Sequence, residues 1–323
     1  MYWYYKYPLY LILALMVAGL GLLIYKQLPH DVKEGVAIGT GNQPPAAADA
    51  PPDAGTAAVG ATLNAPGTAA GSRSAPNPLV ARQLRAAREQ LGSDNLLAAR
   101  TLVCKVLDDQ AVQAFSNAWT EAVDILNQVN TKLLNSDAPA PEKELYEIKS
   151  GDTLVEIARR YRTTVEALQR GNRLNPDSAK IFPGMILHIY RGDWRIVVDK
   201  EHFKLLLYDK DRIFKVYDVA VGRQDRTPAG TFKIVNRLRE PAWTPPGRII
   251  PYGHPENVLG TRWMGIAATG ETDSALKGYG IHGTWEPQTV GTQASEGCIR
   301  MRNEDVEELF DIVPPGTPVT IKD

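Results

Sequence analysis

Near the C-terminus, the stretch YGIHGTWEPQTVGTQASEGCIRM (Tyr279–Met301) brings a base and a nucleophile together. His282 is followed by Gly283, and sixteen positions after the histidine Cys298 lies between glycine and isoleucine. A thiol attacks as its thiolate, and an imidazole can take the proton. Glycines beside such a pair allow tight turns and let a substrate approach the backbone. The two side chains must meet in space rather than in sequence, so spacing alone leaves catalysis and coincidence both open. The other cysteine, Cys104, sits in an apolar helical stretch and reads as a small core residue. Two cysteines so far apart make neither a disulfide framework nor a metal-ligand set, and a bond between them would consume the nucleophile. No metal and no cofactor is expected.

The chain around this stretch has 323 residues, room for two or three domains. Hydrophobic content of 44% and charged content of 23% fit globular protein. With a net charge of −1 and no basic run, nucleic acid is not an expected partner.

The N-terminus reads as a membrane segment. Tyr7 to Tyr25 contains no charge, is bracketed by Lys6 and Lys26, and follows a cluster of aromatics (Tyr2, Trp3, Tyr4, Tyr5). Such a run, as a helix, matches the hydrocarbon thickness of a bilayer with an interfacial belt at one end. Residues 1–30 are therefore expected to be an uncleaved transmembrane signal anchor; a cleaved signal peptide is the rival reading. Residues 31–77, rich in Ala, Pro, Gly and Thr, are expected to be a disordered tether. Helical spacing of apolar residues then predicts a small helical, tetratricopeptide-like spacer over 78–136, with a partner-binding role as the alternative. Ser93 or Asp94 would cap its second helix, and the third would run from about Ala111 to Leu134.

Residues 145–191 predict strand, helix, helix, strand. Asp152 or Thr153 would cap the first helix, Thr163 or Thr164 the second, and Asn172 would end it. The SGDTL turn, TTVEAL, Asn172 and the IFPGMILHI ending closely resemble the LysM domain. That resemblance implies binding of N-acetylglucosamine-containing glycans. The expected site would lie along Gly151, Asp152, Thr153 and Leu154, together with Asn175, Pro176 and Ile181.

From Trp194 alternation predicts a mostly-β domain over 194–323: strands at Arg195–Val198, Phe203–Tyr208 and Arg212–Val221, then one through Val235, shorter ones at Trp263–Ala267 and Tyr279–His282, and a last strand Pro318–Ile321. One late helix, Glu304–Ile312, would be capped by Asn303. The segments VGRQDRTPAGTF, VLGTRWMGI, IHGT and ASEGCIRM, followed by that helix and PPGTPVTI, resemble the catalytic domain of the YkuD-type L,D-transpeptidases. The fold class implied is multidomain α+β: an N-terminal transmembrane helix, a helical segment, a LysM module and a mostly-β catalytic domain.

The resemblance also implies a reaction. Cys298 would attack the carbonyl of the third residue of a peptidoglycan stem peptide, D-alanine would leave, and an acceptor amine would resolve the thioester. His282 would be the general base, with the Gly283 carbonyl orienting its ring. Backbone N–H groups around Gly297 and Cys298 would stabilise the oxyanion. Ser295, Arg300 and Trp285 would join the substrate site, as could His254 and Trp263, although Trp263 reads better as packing. Many family members carry a histidine where this chain has Glu296; a Glu296–Arg300 pair is expected to neutralise itself there.

The partners implied are stem peptides and glycan strands of peptidoglycan, with the membrane engaged through the first helix. The folded domains would then sit outside the cytoplasmic membrane, facing the wall, and the enzyme would be a carbapenem target. An L,D-carboxypeptidase, a transferase attaching proteins to the wall, and a non-catalytic wall-binding protein are the alternatives.

Overall fold

The computed structural model describes residues 77–176 and 180–323. The expected anchor and the tether through residue 76 lie outside them. Among the described residues no helix is long and apolar enough to cross a membrane.

Three helices come first: α1 (Pro78–Gly92), α2 (Leu96–Leu107) and α3 (Asn117–Leu134). Asn77 caps α1 by accepting the Leu79 N–H, with Pro78 in the first turn where its missing N–H costs nothing. Their facing stripes (Val80, Leu84, Ala87, Val103, Leu126, Val129) form one core, and Cys104 packs against it, its thiol pushed up by burial.

Two expected boundaries need correction. Neither Ser93 nor Asp94 caps α2, which begins after Asn95 with no side-chain cap; Asp94 turns out to pair with Lys132. Helix α3 starts at Asn117 rather than Ala111, because Phe115 adopts φ 63° and Ser116 accepts the Trp119 N–H. A left-handed residue cannot continue a helix.

The next unit is β1 (Lys143–Glu147), α4 (Leu154–Arg160), α5 (Val165–Gly171) and β2 (Ile186–Tyr190), with the two strands antiparallel. Thr153 caps α4 and Thr164 caps α5. Asp152 is not a cap; its carboxylate accepts from the Tyr146 hydroxyl at 2.6 Å and the Lys149 N–H at 2.8 Å. Asn172 closes α5 and bridges to β2, donating to Leu168 O and His188 O and accepting the His188 N–H.

The last unit is built on an eight-stranded mixed sheet. Its strands are β3 (Trp194–Asp199), β4 (Lys204–Asp209), β5 (Arg212–Asp218), β7 (Gly230–Arg239), β8 (Arg262–Ala268), β9 (Gly280–His282), β11 (Ile299–Arg300) and β12 (Pro318–Lys322), in the order β11-β9-β8-β7-β12-β3-β4-β5. Pairs β11/β9 and β12/β3 are parallel and the rest antiparallel. The strand expected over 212–221 is two: β5 ends at Asp218, and β6 (Val221–Gly222) pairs in a separate small sheet with β10 (Gln293–Ser295). Helix α6 (Asn303–Ile312) buries Val306, Leu309 and Phe310 against Met264, Ile281 and Ile299 of the sheet.

The helical unit packs on the sheet, with Trp119 and Val123 against Leu206 and Val216. β5 is an edge strand, and edge strands expose unpaired N–H and C=O groups. Helix α3 covers this one: Asn127 donates to Val216 O and accepts the Val216 N–H, and Asn130 donates to Phe214 O at 2.7 Å. The β1–α4–α5–β2 unit is also docked. Thr164 donates to Asp311 O, Arg170 pairs with Asp311, and Glu166 pairs with Arg239.

Candidate active site

Register fixes the relation of the two chemical groups. In the parallel pair β9/β11, Ile281 faces Ile299 and His282 faces Arg300. Ile281 and Ile299 point into the core, so by strand alternation His282 and Arg300 lie together on the opposite face, and Cys298, directly before β11, feels the same Arg300 charge as the His282 ring.

His282 is buried and held on two sides. Its Nδ1 lies 2.6 Å from Gly283 O, which places the proton there and leaves Nε2 with the lone pair. Trp263, opposite it on β8, stacks on the ring at 5.8 Å between centroids and donates its indole N–H to Asn236. Trp263 is therefore part of the packed bed under the imidazole. Desolvation, reinforced by the Arg300 charge, lowers the His282 pKa from 6.5 to about 4, against the pull of the Gly283 and Leu259 backbones. The ring is neutral at neutral pH.

Cys298 is half-buried, and its thiol donates to Gly278 O at 3.7 Å. Burial of the sulfur pushes its pKa up from 9.0 to about 11, outweighing the Gly280 backbone contact and Arg300. Thiol and imidazole are thus both uncharged at rest. Among the described residues no hydrogen bond joins them; the thiol hydrogen is directed at Gly278 O.

The Gly283 carbonyl is itself set by a residue that sequence pattern assigned elsewhere. Asn303 does not cap α6; that helix follows Arg302, which offers no side-chain cap. Instead Asn303 Oδ1 accepts the N–H groups of Thr261 and Thr284. A Cβ on Gly283 would lie 2.1 Å from that oxygen, which explains the glycine after the histidine. Nothing in the sequence announces this contact, since an asparagine before acidic residues is also what a cap looks like.

The turn that carries Cys298 holds two further corrections. Ser295 Oγ donates to Cys298 O at 2.6 Å and accepts the Gly297 N–H at 3.1 Å. The Gly297 N–H is therefore spent, and of the two expected oxyanion donors the Cys298 N–H is the one left. Glu296 does not pair with Arg300 either. It bonds Arg223 and Arg226, while Arg300 reaches Glu286 at 3.5 Å and keeps a buried Nε without a partner among the described residues.

Trp285 is exposed beside Tyr252, 6.0 Å between ring centroids, and His254 is exposed on the neighbouring loop. In the expected glycan site, Gly151, Thr153, Asn175 and Pro176 are exposed and Ile181 is half-buried. Leu154 is not available to a ligand, because it is 5% exposed in the core of its unit. Among the described residues no group of histidine, cysteine and carboxylate side chains could hold a metal ion.

Comparison with known proteins agrees with this arrangement. Residues 193–321 match the family model of the YkuD L,D-transpeptidase catalytic domain, and residues 146–189 that of the LysM domain. A Bacillus licheniformis protein that carries the name L,D-transpeptidase YkuD is 38% identical over 184 residues, 55% of this chain and 98% of that relative. The Bacillus subtilis protein of the same name is 36% identical over 54% of this chain and 97% of its own length. A second Bacillus subtilis relative, YqjB, also named as an L,D-transpeptidase, is 40% identical over 41% of this chain and 73% of its own length. With nearly the whole of a relative matched at that identity, the chain belongs to the L,D-transpeptidase family.

Proposed function

We propose that this enzyme cross-links peptidoglycan between third residues of its stem peptides, with Cys298 as nucleophile and His282 as general base. The observation that carries the assignment is the His282 ring, neutral and locked through Nδ1 to Gly283 O, with Cys298 directly before the strand paired to its own and both groups under the charge of Arg300. His282 Nε2 takes the thiol proton as sulfur attacks the third-residue carbonyl carbon. The C–N bond to D-alanine breaks, and the same proton passes to the departing amine. Sulfur and acyl group remain as a thioester. The acceptor amine then attacks the thioester carbonyl, gives a proton to His282, and the thiol is restored. The Cys298 N–H stabilises the oxyanion in both halves. Arg300 favours the thiolate by its charge, and exposed Trp285 is offered to the substrate.

The docked 146–189 unit binds wall glycan and so holds strand and stem peptide near one another. The apolar run at 7–25 anchors the chain in the cytoplasmic membrane, with the folded units on the wall side. Digestion of purified sacculi followed by muropeptide analysis tests the reading. Dimers joined between third residues support it; tripeptides alone would mean trimming by water, and no change would remove the activity.

A further inference from the structure

The turn that carries Cys298 is gripped by a second turn, residues 223–227. Gln224 and Asp225 there adopt φ 50° and 58°, left-handed values that non-glycine residues keep only where the surroundings over-determine them. Two contacts do so. Lys200, buried, donates to Asp225 Oδ1 at 2.5 Å and to Thr227 O at 3.1 Å. On the solvent side, Arg223 and Arg226 close on the single carboxylate of Glu296. Between these holds sits Thr227, 1% exposed, whose hydroxyl accepts the Gly222 N–H at 2.7 Å and donates to Gly297 O at 2.8 Å.

That last bond matters because the Gly297 carbonyl and the Cys298 N–H belong to one planar trans peptide and point opposite ways. Gly297 has φ 135°, a conformation that favours glycine, and without a Cβ it offers little steric resistance to rotation of that plane about Cα–C. We infer that Thr227 is a positioning residue of the reaction: by holding Gly297 O it sets the peptide plane and aims the Cys298 N–H at the developing oxyanion. Lys200 and the Arg223–Glu296–Arg226 clamp keep Thr227 in place. The inference rests on Cys298 being the acylated nucleophile.

Acylation by a carbapenem builds an oxyanion; alkylation by iodoacetamide uses the same sulfur and builds none. Both rates are measured by intact mass on the full chain. Thr227→Val is expected to acylate about 100-fold more slowly, with the alkylation rate and the carbapenem half-saturation concentration unchanged. Thr227→Ser restores the hydroxyl and is expected within about twofold of wild type in acylation. Glu296→Gln, on the surface, serves if Thr227→Val does not fold. It is expected to acylate about two- to fivefold more slowly at low salt and to converge with wild type as salt screens the clamp. Equal acylation in Thr227→Val and wild type, or acylation and alkylation falling together, would overturn the assignment. A Glu296→Gln variant indistinguishable from wild type at low salt would remove the clamp. Wild type that is alkylated at Cys298 but never acylated would fail the transpeptidase reading itself.

Discussion

His282 makes a prediction that can be read on the folded protein without substrate. Its pKa is lowered from 6.5 to about 4 by burial, with Arg300 adding to the effect. A group held neutral in the folded state binds a proton more readily once unfolded, so stability rises with pH across that interval and is lost as pH falls through it. The fall from 6.5 to about 4 corresponds to about 3 kcal/mol between pH 7 and pH 4. The Cys298 thiol, pushed up to about 11, is silent in this range. Urea unfolding of wild type and His282→Gln, repeated at pH 7, 6, 5 and 4, isolates the histidine from the carboxylates the two proteins share. Wild type should lose about 3 kcal/mol more than the variant over the series. The same burial governs rate: the second-order rate of acylation reports the free enzyme's base, so it should stay level from neutral pH down to about 5 and fall only near 4. Parallel stability curves, or an acid limb near pH 6.5, would refute the reasoning.

Further outcomes follow from single contacts. Gly283→Ala places a Cβ 2.1 Å from Asn303 Oδ1, and acylation measured by mass should be lost while the fold, read by circular dichroism, persists. Asn303→Ala strips the Thr261 and Thr284 N–H groups of their acceptor and should cost about 1–3 kcal/mol in thermal unfolding. Asn127→Ala with Asn130→Ala uncovers the β5 edge, so sedimentation should show concentration-dependent association. Thr164→Ala loses both the α5 cap and the bond to Asp311 O, a cost of about 1–2 kcal/mol in denaturant unfolding.

What could be seen in the sequence was local. Alternating residues marked the strands, Thr153 and Thr164 stood where helix caps belong, and the glycines around His282 and Cys298 marked tight backbone. The contacts that complete the site join distant positions. Thr227 and Gly297 are 70 residues apart, as are Arg226 and Glu296. A carboxylate two residues before the thiol and four before an arginine invites a local pairing, yet Glu296 turns to the 223–227 loop and Arg300 to Glu286. Asn127 and Asn130 read as polar residues on an amphipathic helix; only the sheet edge beside them gives them a role. The same holds for α3, whose start was set by the left-handed Phe115 stacked on His202 of a distant turn.

The central claim is that sulfur at position 298 carries the acyl group and that the neutral ring at 282 makes this happen. Incubating wild type, Cys298→Ala and His282→Ala with imipenem and mapping the adduct by peptide mass spectrometry tests it directly. One adduct on the Cys298 peptide of wild type is predicted, with none in Cys298→Ala and a strongly slowed one in His282→Ala. An adduct that forms at wild-type rate without His282, or that persists without Cys298, would contradict the account.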